Sequence, residues 1–441
     1  MPTTLDRIAT KARQDKKFRF TSLAHHIDKA LLSESLKKIK RASSPGIDGQ
    51  DVKAAEESFA TWAPVQIEAM HQRSYRPPPA KRVYIPKPGK SALRPIAMPT
   101  IQDKALQRAT AEVLNSIYES DFLNVSFGGR PKRSAHQAVA TMRQSIMTQK
   151  ISWVYEADLK NFFGSLNHGW VEQFLLHRVG DPRLIMLIKR WLKAGVMEDG
   201  KHIKLNEGTA QGGPISVLIS NIYLHYVLDL WIEKIVKPQM RGEVTYIRYL
   251  DDFVLCFQYQ SDAHRFMNVV EKRLAKFSLA LEPSKTSLVK FGRFAKGNSS
   301  QHSKATKPKT LYFLGFTFYC GKNRKGGFKV GMRTEKSRLK RSCAKITERL
   351  KVIRHLPIKV QSRQINQVLR GHYQYYGVPD NWDCINRFHY HVVKDWRKWL
   401  STRSQNGRVS WLRYRKILKL FPLQEPKIRI SYSQLRNLSM L

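Results

Sequence analysis

Two aspartates stand side by side, Asp251-Asp252, in a segment that otherwise reads as two apolar strands. Val244, Tyr246 and Tyr249 precede them and Phe253, Val254 and Leu255 follow. Residues 242–259 therefore predict a β-hairpin with a tight turn at Leu250-Asp251-Asp252 and the carboxylates at its tip. Carboxylates ~4–6 Å apart repel unless a cation neutralises them. No basic residue follows directly, so a metal is the natural partner, and an ordinary Asp-Asp turn is the plainer alternative. Asp158 closes another apolar strand, Trp153–Asp158. Three carboxylates on two neighbouring strands match a two-Mg²⁺ site, in which hard oxygen ligands clamp the attacking and leaving oxygens of phosphoryl transfer.

The acids stand out because the chain is basic. Its 441 residues carry 78 Lys+Arg against 34 Asp+Glu, a net charge of +44. Such a charge requires a polyanion, and nucleic acid is the usual one. The 42% apolar content suffices for sizeable cores, and the length suggests two to four domains. Residues 285–372 hold 23 Lys+Arg and only two acids, Glu335 and Glu348. Lys336, Arg338, Lys340, Arg341, Lys345, Arg349, Lys351 and Arg354 crowd one predicted helix. Like charges at this spacing repel, whereas a helix lying on phosphates releases counterions. A membrane surface fits less well, because the basic residues run through most of the chain. The longest uncharged run, Gly208–Leu228, contains Thr, Gln, Ser, Asn and His, so it reads as core plus active-site loop. The N-terminus lacks a signal-peptide apolar region. Cys256, Cys320, Cys343 and Cys384 are scattered, which fits a reducing cytosol.

Helical spacing marks residues 1 to about 70, 101–120 and 134–148, and the chain from about 333 onward. Arg82–Lys87 reads as extended, and Leu311–Tyr319 as one apolar strand after a polar loop at 292–310. Gly208-Thr209-Ala210-Gln211-Gly212-Gly213-Pro214 offers a closely approachable backbone. Ile85-Pro86-Lys87-Pro88-Gly89-Lys90-Ser91 is not a phosphate-binding P-loop, since Tyr84 occupies the position of the first required Gly. Lys87 and Arg94 still suit either a triphosphate or an exposed turn.

In this order, these elements resemble the reverse transcriptases encoded by bacterial group II introns. The resemblance rests on Phe20–His25 and Pro45–Gly49, on Tyr84–Lys87 with Arg94–Pro99, and on Asp158-Leu159-Lys160-Asn161-Phe162-Phe163 as motif A. It continues in 208–216 with Asn221–His225 as motif B, Arg248-Tyr249-Leu250-Asp251-Asp252-Phe253 as motif C, Phe313–Phe316, and Leu369–Val378 in the thumb. It implies an α+β right-hand polymerase fold. Residues 1–70 would be an N-terminal extension and the start of the fingers, 71–150 fingers, and 151–325 palm. Residues 326–441 would be a helical thumb, the maturase-like X domain, with a short basic tail.

The implied activity is RNA-directed DNA polymerisation, in which a primer 3′-OH attacks the α-phosphate of a dNTP on an RNA or DNA template. Asp158, Asp251 and Asp252, with the Leu159 carbonyl, would hold two Mg²⁺ ions, with Mn²⁺ as a substitute. Lys87, Arg94, Phe162, Phe163 and Gln211 would form the dNTP site, with Phe163 as the steric gate against a 2′-OH. Tyr249 and Leu250 would flank the motif C acids. Arg130, Lys336, Arg338, Lys340, Arg341, Lys345, Arg370, His372 and Tyr375 would contact nucleic acid. The partners implied are RNA template, DNA primer and dNTPs, with group II intron RNA as a further one and no membrane. The enzyme would be a monomer or dimer in the bacterial cytosol, associated with the nucleoid.

The chain departs from the family pattern at Leu250 (usually Ala), Gly164 (usually Asp), Gly129 (usually aromatic), and Ala210 and Val217 (often Pro). Free-standing relatives adapted to host tasks such as DNA repair also depart at the motif C Ala. Two lifestyles therefore stay open, an intron partner or a host-adapted repair enzyme. A splicing maturase with vestigial polymerase activity is the alternative function. With no Cys/His-rich segment after Phe421-Pro422-Leu423, a homing endonuclease is not expected.

Overall fold

The computed structural model describes residues 4–86, 93–204, 207–209, 212–295, 309–404 and 407–441. The expected dNTP contacts Lys87 and Gln211, the Ala210 departure and most of the polar loop lie outside these residues. The chain forms two compact units. The first comprises Met1–Ser134, Tyr155–Leu255 and Gln260–Leu288, and the second Ala135–Val154, Cys256–Tyr259 and Val289–Leu441.

The strands of the first part of the chain are β1 (Ala80–Pro86), β2 (Leu93–Met98), β3 (Trp153–Asp158), β4 (Val196–Glu198), β5 (Lys201–Ile203), β6 (Val244–Tyr249), β7 (Asp252–Phe257) and β8 (Ser287–Lys290). One sheet has the order β6-β7-β3-β8, and a second runs β2-β1-β4-β5. The first sheet is apolar along its central strands, with Val254, Leu255 and Cys256 buried on β7 and Val154 and Tyr155 on β3. Strands covered on both faces read as continuous apolar runs, which is why they were legible. The long helix Ile101–Asp121 starts at Thr100, whose hydroxyl accepts from the Asp103 N–H at 3.3 Å. The helix Pro214–Leu224 continues through two wide π-helical turns, His225–Asp229 and Ile232–Val236. Its apolar stretch is 78% buried inside the protein, as a core helix is.

The second unit carries β9 (Leu311–Phe313), β10 (Phe316–Lys322) and β11 (Phe328–Thr334) in one antiparallel sheet. The single strand expected over 311–319 is thus two. Leu314 and Gly315 both take positive φ, 49° and 78°, and this pair of left-handed residues reverses the chain. The helices Lys336–Ile353, Ile358–Tyr376 and Trp382–Ser401 pack Ile346, Leu350, Ile365, Leu369, Ile385, Phe388 and Trp396 into one core. Each fully buried side chain of this kind is worth ~1.5–3 kcal/mol.

Candidate active site

The β6–β7 hairpin turns through Leu250, which adopts φ 56°. A two-residue loop that matches strand twist needs positive φ at its first residue, a conformation costing a non-glycine residue ~1–2 kcal/mol. Surrounding contacts hold Leu250 there. An ideal Cβ on Gly128 would lie 2.5 Å from the Leu250 nitrogen and 2.8 Å from its Cγ. One on Gly129 (φ 70°) would lie 2.3 Å from Val217 Cγ1 and 3.2 Å from Leu250 Cδ2. The three departures Gly129, Val217 and Leu250, far apart in sequence, are therefore one packed cluster: the glycines leave the room that the two larger side chains fill. Gly164 has a similar cause, since a Cβ there would meet Asn161 Nδ2 at 2.4 Å.

Asp158 and the hairpin acids come together. Asp252 reaches Asp158 by a hydrogen bond in its protonated form, and burial, Asp158 and Asp251 together push its pKa up to about 7. Asp251 is also raised, by burial and then by Asp158. Lys285 forms an ion pair with Asp158 Oδ2. Burial alone would lower the Lys285 pKa, but the bond and charge of Asp158 outweigh it and the net shift is upward. Among the described residues no three Asp, Glu, His or Cys side chains converge as a ready ligand set. The site is instead a buried Asp158 and two half-buried aspartates, with the exposed Lys285 as the protein's own cation beside Asp158. The donor chemistry, hard oxygens crowded and short of positive charge, fits divalent ions.

Leu159 pairs with Leu281 across an isolated antiparallel bridge. The two bonds there run from Glu282 N to the Asp158 carbonyl (2.8 Å) and from Lys160 N to the Ala280 carbonyl (2.9 Å), bypassing the Leu159 carbonyl. Phe162 is buried and Phe163 half-buried, with ring centroids 5.4 Å apart. Thr209 N donates to the Phe163 carbonyl at 2.7 Å, which fastens the start of motif B to this turn. Arg94 is exposed on β2, opposite Ile85, and close enough for its charge to lower the Asp251 pKa. Tyr249 and Leu250 are both half-buried at the hairpin tip.

The expected nucleic-acid contacts divide. Lys336, Arg338, Lys340, Lys345 and Arg370 are exposed and Arg341 is half-buried. Arg130 needs correction. It is 6% exposed, forks onto Glu119 at 3.0–3.3 Å, and donates to the Leu123 and Ser126 carbonyls, so its guanidinium braces the loop. His372 is also corrected: it is buried, stacks on Phe388 at 3.9 Å, and burial lowers its pKa to about 4, so it belongs to the helical core of the second unit. The Tyr375 hydroxyl donates to the Leu314 carbonyl at 2.8 Å and its ring stacks on Phe316.

Sequence reasoning missed Lys285, one lysine among many in a basic chain. It also missed Asp229, although this acid ends the longest uncharged run and so had a signal. Asp229 and Arg248 are both fully buried and paired in a fork, Nε–Oδ1 at 2.7 Å and Nη2–Oδ2 at 2.6 Å.

Comparison with known proteins then decides the family. The family model described as reverse transcriptase (RNA-dependent DNA polymerase) matches residues 85–318, more than half of the chain. The chain belongs to the reverse transcriptase family. It is 32% identical over 281 residues to Protein YkfC of Escherichia coli (strain K12), covering 56% of this chain and 74% of that protein. It is 30% identical over 239 residues to the group II intron-encoded protein LtrA of Lactococcus lactis subsp. cremoris, covering 52% of this chain and 40% of LtrA. A shorter match, 33% over 107 residues, covers 23% of this chain and 14% of nuclear intron maturase 2, mitochondrial, of Arabidopsis thaliana. The fold class is accordingly that of polymerase palm and fingers, α+β. The enzyme class is RNA-directed DNA polymerase of the intron-encoded type, with divalent-metal chemistry and nucleic-acid template and primer.

Proposed function

We propose that this reverse transcriptase extends a primer 3′-OH with dNTPs at a site built on Asp158, Asp251 and Asp252. The observation that supports the assignment is that β3 and β7 are neighbours in one sheet, which sets Asp158 beside the hairpin acids, with Lys285 paired to Asp158. Residues 151–325 would serve as palm, 1–150 as N-terminal extension and fingers, and 326–441 as thumb. The three aspartates and the Leu159 carbonyl would hold two Mg²⁺ ions, with Mn²⁺ as substitute, and these would supply the charge that activates the 3′-OH and neutralises pyrophosphate. Lys285 holds the positive charge beside Asp158 until a divalent ion takes it over. Arg94, with Lys87 and Gln211, would bind the triphosphate and base by charge-assisted contacts, and Phe163 would crowd a ribose 2′-OH. The exposed lysines and arginines of the helix Lys336–Ile353 would meet template–primer phosphates without reading sequence. We place the enzyme in the cytosol at the nucleoid, either with an intron RNA or as a free-standing enzyme of DNA repair.

The test is primer extension by Asp251→Ala and Asp252→Ala with Mg²⁺. Both should lose extension while RNA affinity changes little. Undiminished extension by either variant would sink the assignment, and loss in both also counts against a maturase with a vestigial polymerase.

A further inference from the structure

The turn that carries Asp251 and Asp252 is tied to the protein interior by a polar network that none of the expected contacts uses. Arg248 lies on β6, two residues before the turn, with its side chain fully buried. Its Nε and Nη2 fork onto Asp229, at the end of the π-helical turn His225–Asp229. Its Nη1 donates to Asn221 Oδ1 at 2.9 Å and to the carbonyl of Leu250 itself at 3.2 Å. Asn221 Nδ2 donates to the Gly128 carbonyl at 2.8 Å, and the Tyr246 hydroxyl to Asp229 Oδ1 at 2.9 Å. The Arg248 backbone is held as well, its N–H by the Val125 carbonyl (2.8 Å) and its carbonyl by the Phe127 N–H (2.9 Å). The same Gly128 forms part of the space into which the Leu250 side chain fits.

A fold needing only a buried ion pair would be served by Arg248 and Asp229 alone. Here the third nitrogen is directed at the one residue with positive φ in the hairpin turn, immediately before the paired acids. Asn221 fixes both that nitrogen and the Gly128 carbonyl, so the polar link and the apolar slot converge on Leu250. Wide π turns of this kind recur at functional sites, and this one delivers Asp229 to the fork. Groups that must hold a charged centre need supports whose own positions are set by hydrogen bonds.

We infer that Arg248, Asn221 and Asp229 are positioning residues, which act through the Leu250 carbonyl to hold Asp251 and Asp252 at the spacing from Asp158 that divalent ions require. The inference rests on the carboxylate assignment proposed above and adds the group that sets its geometry.

The experiment measures Mn²⁺ binding to the full chain by electron paramagnetic resonance, without nucleic acid, alongside the Mg²⁺ dependence of single-nucleotide addition. Asn221→Ala leaves the Arg248–Asp229 fork intact and removes the link to Gly128 and to Nη1. Losing these two bonds while the Nη1–Leu250 bond remains should weaken Mn²⁺ affinity about five- to ten-fold and raise the half-saturating Mg²⁺ concentration by a like factor, with little change in KM for dNTP. Arg248→Lys, which keeps the charge but cannot span both partners, should act in the same direction and serves if Asn221→Ala does not fold. Tyr246→Phe removes a bond to Asp229 Oδ1 and touches neither Nη1 nor the Leu250 carbonyl. It should lower stability and leave Mn²⁺ affinity unchanged. Folded Asn221→Ala or Arg248→Lys protein with wild-type Mn²⁺ affinity would overturn the inference. If the wild type binds no Mn²⁺, or Asp251→Asn binds as the wild type does, the carboxylate site itself fails instead.

Discussion

Asp103 offers a stability prediction whose size follows from its surroundings. It is 2% exposed, in the first turn of the helix Ile101–Asp121. Its Oδ1 accepts from Trp191 Nε1 at 2.7 Å and from the Tyr75 hydroxyl at 2.9 Å, and its Oδ2 from Gln107 Nε2 at 2.9 Å. These bonds favour the charged form, but burial outweighs them and raises the pKa from 3.8 to about 6. The folded chain thus binds the Asp103 proton more tightly than the unfolded chain does. Its contribution to stability is full below pH ~4, falls as the pH rises from there to about 6, and is flat above. At 1.36 kcal/mol per unit the loss is about 3 kcal/mol. In Asp103→Asn the amide oxygen keeps Trp191 and Tyr75. The new N–H₂ meets Gln107, whose Oε1 is buried with no hydrogen-bond partner among the described residues, so turning that amide pairs both groups. The variant should be more stable than the wild type by about 1–3 kcal/mol at pH 8, by roughly half as much at pH 5, and by nothing near pH 4. Urea denaturation followed by tryptophan fluorescence at these pH values measures the difference. A variant less stable than the wild type at pH 8, or a gap that does not shrink toward pH 5, would refute the reasoning.

Other substitutions probe the packed cluster and the gate. Gly129→Ala puts a methyl group 2.3 Å from Val217 Cγ1 at a positive φ, and should cost ~2–4 kcal/mol of stability by denaturation. Adding Val217→Ala should recover the steric part and leave the backbone part, a coupling that strict additivity of the two changes would disprove. Phe163→Ala should admit ribonucleotides in primer extension; unchanged sugar discrimination would remove the gate role. Leu250→Ala should change extension from matched and mismatched primer ends more than it changes template affinity, and equal effects on both would argue against a local packing role.

The hairpin 244–257 was legible because its chemistry is local: two apolar strands are close in sequence, and only a tight turn joins them. Asp158 was legible for a similar reason, as the polar end of a buried strand. The extended segment at 311–319 was misread as one strand because Leu314 shows no outward sign of a left-handed conformation. The fate of individual charges was also illegible. Arg130 and Lys336 look alike in sequence, yet one guanidinium is consumed by Glu119 and two carbonyls while the lysine faces solvent.

The sequence by itself determined the class of the protein and the location of its acids, since strand apolarity, turn position and net charge are properties of short segments or of sums. Tertiary structure alone decided how those acids are held. Gly129, Val217 and Leu250 become one cluster, and Arg248, Asn221 and Asp229 one network, only when chain segments up to about 120 residues apart are packed against each other. The reason is physical: close packing and hydrogen-bond direction are set by distances between side chains, and those distances do not exist until the chain has folded.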